Sequence, residues 1–170
     1  MKKQYLIYMM ISVLVGITSA CSQLRPSIKH SHLGHVMKTR KVDALSGYVK
    51  IPQLNRLTLI DFWATYCKPC KAHLPALKKL YRTYHKKGLV IIGVTENKNP
   101  VKVDHYIKEY KVPWPIVIDG QHKTFLSRYN IDILPRYFLV DPAGKIIQIR
   151  GGEKKAIRML EKSIKLYLEM

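Results

Sequence analysis

Cysteine, phenylalanine and acidic side chains are scarce in this chain. Of 170 residues, three are Cys, three are Phe and 11 are Asp or Glu, against 30 Lys plus Arg. An odd number of cysteines leaves at least one without a partner in the chain, which excludes a scaffold that pairs every cysteine. No second Cys-x-x-Cys exists to complete a four-cysteine zinc site. No internal repeat is visible, and no base-stacking motif, so nucleic acid is not an expected partner despite a formal charge of +19. The cations are scattered over helix faces rather than blocked, which reads as solvated surface. A second reading lays a tethered cationic domain beside an anionic membrane, at about 1 kcal/mol per well-placed basic residue.

Long apolar runs are few as well. The one from Leu6 to Ile17 carries no charge and follows Met1-Lys2-Lys3. It is too short for a comfortable membrane span and fits the apolar part of a signal peptide. It ends in Thr18-Ser19-Ala20-Cys21, small residues before a cysteine, which resembles a bacterial lipoprotein cleavage site. The expected organisation is therefore a signal peptide over 1–20, a lipid-anchored basic tether over 21–45 starting at lipidated Cys21, and a folded domain over 46–170. Ordinary cleavage after Ala20 and an uncleaved anchor are the alternatives. Each puts the domain outside the cytoplasm, in a bacterial periplasm or on the outer cell-envelope face, where disulfide chemistry is permitted. The tether carries His30, His32 and His35; three histidines without a scaffold read as linker, with metal binding as the alternative.

The rest of the chain is organised around Leu59-Ile60-Asp61-Phe62-Trp63-Ala64-Thr65-Tyr66-Cys67-Lys68-Pro69-Cys70-Lys71. It starts as a buried strand and continues beyond Cys70 with helical spacing of Leu74, Leu77, Leu80 and Tyr81. Cys67 thus falls at a helix N-terminus, where unpaired N–H groups and the helix dipole favour a thiolate. Pro69 suits the first turn because it has no N–H to waste. Cys70, one turn further in, can swing onto Cys67 and close a small ring. An exposed attacking thiolate and a buried resolving thiol are the equipment of thiol–disulfide exchange.

Asp61-Phe62-Trp63-Ala64 followed by Cys67-Lys68-Pro69-Cys70-Lys71 resembles the active-site segment of thioredoxin. Trp114-Pro115-Ile116-Val117-Ile118-Asp119-Gly120 and the run from Leu134-Pro135 through Asp141-Pro142-Ala143-Gly144-Lys145 resemble the TlpA/ResA-like reductases of that superfamily. The resemblance covers residues 50 to 168. It implies an α/β thioredoxin-like fold: a central mixed β-sheet flanked by helices, with an extra strand–helix insertion. It also implies a thiol–disulfide oxidoreductase of the kind used in cytochrome c biogenesis. Such a protein needs no cofactor beyond the Cys67–Cys70 disulfide. Its partners would be protein thiols and disulfides, a membrane electron donor or acceptor for thiols, and the membrane itself through the lipid; a monomer is expected.

The resemblance also assigns residues. Cys67 is the nucleophile and Cys70 resolves. Asp61 lies buried behind Cys70 and relays its proton, a role suited to a carboxyl whose pKa burial has raised. Pro135 is cis, and the backbone before it, at Leu134, pairs with substrate as an added strand. Trp63 and Tyr66 join Leu134 in the substrate groove. Lys68, Pro69 and His73 tune the redox couple, Lys68 by stabilising the reduced thiolate. His73 stands where ResA-type members commonly have Glu. A different reading makes Cys67, Cys70 and His73 a copper or zinc site in a metallochaperone module. A peroxiredoxin is a third and weaker one, because Thr65 precedes Cys67 by two positions rather than three.

Along the chain, strands are predicted at 47–51, 57–63, 89–94, 116–118, 137–141 and 145–150. Helices are predicted from the cysteine pair to Lys87, ended by Gly88 and containing Pro75, then at 101–110, 123–129 and 153–169. Strand–helix–strand implies a right-handed parallel crossover.

Overall fold

The computed structural model describes residues 32–120 and 124–169. The expected signal peptide, Cys21, His30 and the tether up to residue 31 lie outside the described residues.

Two strands explain the apolar runs. β3 (Leu57–Trp63) and β4 (Leu89–Thr95) are buried along their whole length. Parallel strands covered on both faces read as continuous hydrophobic runs rather than alternating ones. They sit inside a five-stranded sheet of order β5-β4-β3-β6-β7, with β5 at Ile116–Ile118, β6 at Arg136–Val140 and β7 at Ile146–Arg150. β4 pairs parallel with β3 and β5, and β6 antiparallel with β3 and β7.

The sheet separates two cores by side-chain alternation. Leu57, Leu59 and Trp63 of β3, with Tyr137 and Leu139 of β6, face helices α1 (Lys68–Tyr84), α2 (Pro100–Tyr110) and α4 (Ala156–Leu168). Ile60 and Phe62, with Phe138 and Val140, face the short helix α3 (Thr124–Arg128) and the N-terminal segment. α1 passes through Pro75 and runs into a 3₁₀ turn, His85–Lys87. Gly88 then reverses the chain with φ +116°, a conformation that costs glycine least.

The structure differs from expectation at three places. The strand at Gly47–Ile51 (β2) pairs with Arg40–Ala44 (β1), so a hairpin begins inside the segment assigned to the tether. Before it, Val36 bridges Lys145 and Met37 is 2% exposed. β1 exposes most of its side chains, so it left no apolar alternation to read. α4 starts at Ala156 rather than Glu153, because the Glu153 carboxylate accepts the Gly151 N–H (2.9 Å) and shapes the turn before the helix. A second cis proline, Pro52, accompanies cis-Pro135.

Candidate active site

β3 delivers the chain to the N-terminus of α1. Cys67 is the N-cap, with extended backbone, and its sulfur accepts the Cys70 N–H at 3.2 Å. Cys67 and Cys70 are joined in a disulfide. The first turn holds no acid, and exposed Lys68 and Lys71 flank Cys70. In the reduced chain, the capped N–H, the helix dipole and these cations all favour negative charge on Cys67. One expectation needs correction: Cys67 is not the exposed partner of a buried Cys70. The two are 8% and 6% exposed, because both pack into the core beneath α1.

Asp61 lies on the same face of β3 as Leu59 and Trp63, two residues from each. It is buried, and Oδ1 has no hydrogen-bond partner. Burial raises its pKa from 3.8 to about 7. Asp61, Cys70, Trp63, Leu74 and Tyr106 line one small cavity, with room for about a single water. A carboxyl that is half protonated near neutral pH therefore shares a pocket with the second cysteine.

His73 projects from α1 one turn after Cys70. Its Nδ1 lies 3.0 Å from the Tyr137 hydroxyl, and the rings stack. Burial lowers the His73 pKa, with Glu153 acting weakly in the opposite direction. Burial, and then the charges of Asp61 and Glu153, push the Tyr137 hydroxyl far above its ordinary range. Tyr137 is the register partner of Asp61 across β3 and β6.

The Leu134–Pro135 bond is cis and Pro135 is buried. Gly152 backs it: a Cβ at this position would stand 3.0 Å from Pro135 Cδ, so a side chain here would press on the proline ring. Leu134 is half-buried against both cores, next to Ile133, which is 57% exposed. Tyr66 is 68% exposed, and its hydroxyl donates to Glu96 Oε1, which pushes its pKa up to about 12. Trp63 departs from its expected place in the substrate groove. It is 5% exposed and packs on Tyr106 at 4.9 Å, because strand alternation turns it towards α2.

Several site residues were missed by sequence reasoning. Asn97 Oδ1 accepts the Thr65 N–H (2.9 Å) and the Thr95 hydroxyl (2.8 Å), while Nδ2 donates to Thr65 Oγ1 (3.0 Å). Asn97 thereby holds the turn that leads into Cys67. The available signal was its place in the loop at the C-terminal end of β4, beside the β3–α1 junction, where α/β sheets build their sites. Tyr137 and Glu153 gave no signal beyond an apolar strand and a helix start.

Among the described residues, no group of three or more His, Cys, Asp or Glu could hold a metal ion. Comparisons with known proteins agree with this geometry. The ResA thiol-disulfide oxidoreductase of Bacillus cereus is 34% identical over 95 residues, which is 56% of this chain and 54% of the relative. That of Geobacillus kaustophilus is 34% identical over 110 residues, 65% of this chain and 60% of the relative. The chain thus spans just over half the length of the curated relatives it matches. The thioredoxin domain of a thiol-disulfide oxidoreductase from Bacteroides vulgatus superposes with a TM-score of 0.68 at 29% identity, over 78% of this chain and 97% of that one. StoA from Bacillus subtilis superposes with a TM-score of 0.64 at 25% identity, over 74% and 95%. The family model described as Redoxin matches residues 49–164, well over half of the sequence and every element from β3 to the greater part of α4, and this chain belongs to that family.

Proposed function

We propose that this protein is an extracytoplasmic, membrane-anchored thiol–disulfide oxidoreductase that exchanges disulfides with protein substrates through Cys67 and Cys70, working as a reductase. The observation that carries the reading is the Cys67–Cys70 disulfide at the α1 N-terminus, with an unpaired buried Asp61 sharing the cavity behind Cys70. The names of the relatives support it.

The geometry supports the following reaction. Reduced Cys67, as thiolate, attacks one sulfur of a substrate disulfide. An S–S bond to Cys67 forms, the substrate S–S bond breaks, and the first substrate thiolate leaves. Asp61, as carboxylate, takes the proton of Cys70. Cys70 then attacks the Cys67 sulfur and expels the second substrate thiolate. Two electrons have passed to the substrate, and the chain holds the disulfide seen here. A membrane donor of thiol electrons returns it to the dithiol. The substrate lies along the backbone at Leu134, beside cis-Pro135, with exposed Ile133 and Tyr66 at the rim.

Two measurements test this. A Cys70→Ser variant should accumulate a mixed disulfide at Cys67 with a protein or peptide substrate, and Cys67→Ser should form none. The potential of the Cys67–Cys70 couple should fall towards the reducing end of the range from about −270 mV to about −120 mV. A couple at the oxidising end would make the protein an oxidase instead.

A further inference from the structure

The outer face of α1 carries a groove that starts beside the redox pair and runs away from it. It begins at Lys71, next to Cys70, and follows one helical stripe through Leu74, Pro75, Lys78 and Arg82 to Lys86. Its other wall is the end of α2 and the loop that follows, with Tyr110, Lys111 and Pro113. Lys78 and Arg82 line both halves, so the groove is continuous. The fifteen residue steps from Lys71 in α1 to Lys86 in the 3₁₀ turn span about 22 Å, the length of about seven extended residues.

The floor is apolar and fixed. Tyr81 packs edge-on against buried Trp114 (5.6 Å) and stacks on His85 (4.4 Å). Tyr110 packs on Tyr106 (4.4 Å), with Lys71 Nζ 4.6 Å from its ring centre. The rim is cationic throughout: Lys71, Lys78, Arg82, Lys86 and Lys111. Lys78 is tied to the backbone, donating to the Tyr110 carbonyl at 2.8 Å. Among the described residues none of the five forms an ion pair with a carboxylate. The nearby Glu109 lies 3.9 Å from His105, and its charge also acts on Lys71 without forming an ion pair with it. Five cations thus rim an apolar trough with no carboxylate in ion-pair contact with them among the described residues.

We propose that this groove docks an acidic, aliphatic-rich extended segment of the protein that exchanges disulfides with Cys67–Cys70. The proposal rests on the redox reading above and adds the chemistry of the partner. Carboxylates would pair with the rim while alternate aliphatic side chains enter the trough, as in other recognition of extended peptides. A membrane surface fits less well. The apolar floor is recessed between two walls, whereas a bilayer is met by apolar groups that project. The position also matters: one end of the groove opens a single residue from Cys70. A segment seated there raises the local concentration of its own disulfide at the thiols.

The test uses the full-length chain, reduced, and three disulfides. Two are ten-residue synthetic peptides with one cysteine joined to a chromophoric aryl thiol; one is rich in Glu and Leu, and in the other Gln replaces every Glu. The third is 2-hydroxyethyl disulfide, which is small and neutral. At low salt the Glu peptide should be reduced about tenfold faster than the Gln peptide, or more. High salt should remove most of this advantage. Arg82→Glu with Lys86→Glu should abolish it and leave the rate with 2-hydroxyethyl disulfide unchanged, which also shows that the variant is folded. Equal rates for the two peptides, with the small disulfide still reduced, would overturn the groove proposal alone. No reduction of the small disulfide would overturn the redox reading and the proposal together. Co-sedimentation with phosphatidylglycerol vesicles, lost in the double variant while the two peptides react alike, would overturn the proposal and assign the face to a membrane.

Discussion

His73 and Tyr137 meet through one polar contact, Nδ1 to hydroxyl at 3.0 Å, with their rings 25° from parallel. Tyr137 in turn sits across the β3–β6 ladder from Asp61. A line of titratable groups therefore runs from the buried carboxyl to a half-buried histidine on α1. It offers His73 a structural task in place of metal ligation. Removing each end of the contact should cost stability in a coupled way. His73→Ala and Tyr137→Phe should show a coupling of about 1 kcal/mol in a urea-unfolding double-mutant cycle. His73→Ala should keep measurable exchange activity with a shifted pH profile. Tight, stoichiometric zinc or copper binding by the reduced protein, lost in His73→Ala, would contradict this.

Asp61 sets a pH dependence of stability. Burial favours its neutral form, so the folded chain holds a proton that the unfolded chain releases between pH 3.8 and about 7. Stability should accordingly fall as pH rises through that window. The distance from 3.8 to about 7 corresponds to roughly 4 kcal/mol. His73 contributes with the opposite slope, since its lowered pKa costs stability as pH falls below 6.5. Asp61→Asn should remove the first slope and be the more stable protein at pH 8. It should also slow resolution more than first attack, so that rapid-quench trapping finds a Cys67 mixed disulfide. Resolution at the wild-type rate would remove Asp61 from the relay.

Lys68 is exposed between the two cysteines. A cation there stabilises the reduced thiolate and makes the couple more oxidising. Lys68→Glu should lower the potential by about 30 mV for each tenfold loss of that stabilisation. It should also raise the Cys67 pKa, read from the pH dependence of thiol alkylation. An unchanged potential would show that the dipole and the capped N–H suffice.

Asn97→Ala removes two hydrogen bonds from the turn before Cys67 and one from Thr95 at the end of β4. The cost should be about 1–3 kcal/mol, since the Thr65 N–H loses its acceptor. Exchange should slow even where the variant is fully folded, because the nucleophile is less firmly placed. Chemical denaturation and single-turnover kinetics separate the two effects.

Cys21→Ser should release the protein from membranes into the soluble fraction, if lipid on Cys21 is the anchor. Complete retention of the variant with membranes would show that the anchor is something else.

The sequence carried the sheet and the cysteine pair because both are local patterns. The apolar runs at 57–63 and 89–94, the helical spacing after Cys70 and the turn at Asp141-Pro142-Ala143-Gly144 each declare themselves within a short window. The residues around the pair are a different matter. Tyr137 is one more aromatic in an apolar strand until its register places it opposite Asp61, and that pairing spans 76 positions. Asn97 reads as loop polarity until β3 and β4 bring it to Thr65. Trp63 was misplaced for the converse reason. A position next to a functional stretch says nothing of the side to which strand alternation turns it. The hairpin at 40–51 was half hidden because its first strand is solvent-facing and basic.

The pairing of β3 with β6 has a consequence for how the protein can fail. Asp61 and Tyr137 occupy the same parity as Leu59 and Leu139, so the groups around the thiols and the packing of the core depend on one alignment. A slip of β6 by one residue would turn Tyr137 away from His73 and bring Phe138 beneath α1. The core packing and the surroundings of the site would be disturbed in the same step. A misaligned molecule would keep its cysteine pair on α1 but would hold it over a repacked core, with the His73–Tyr137 contact gone.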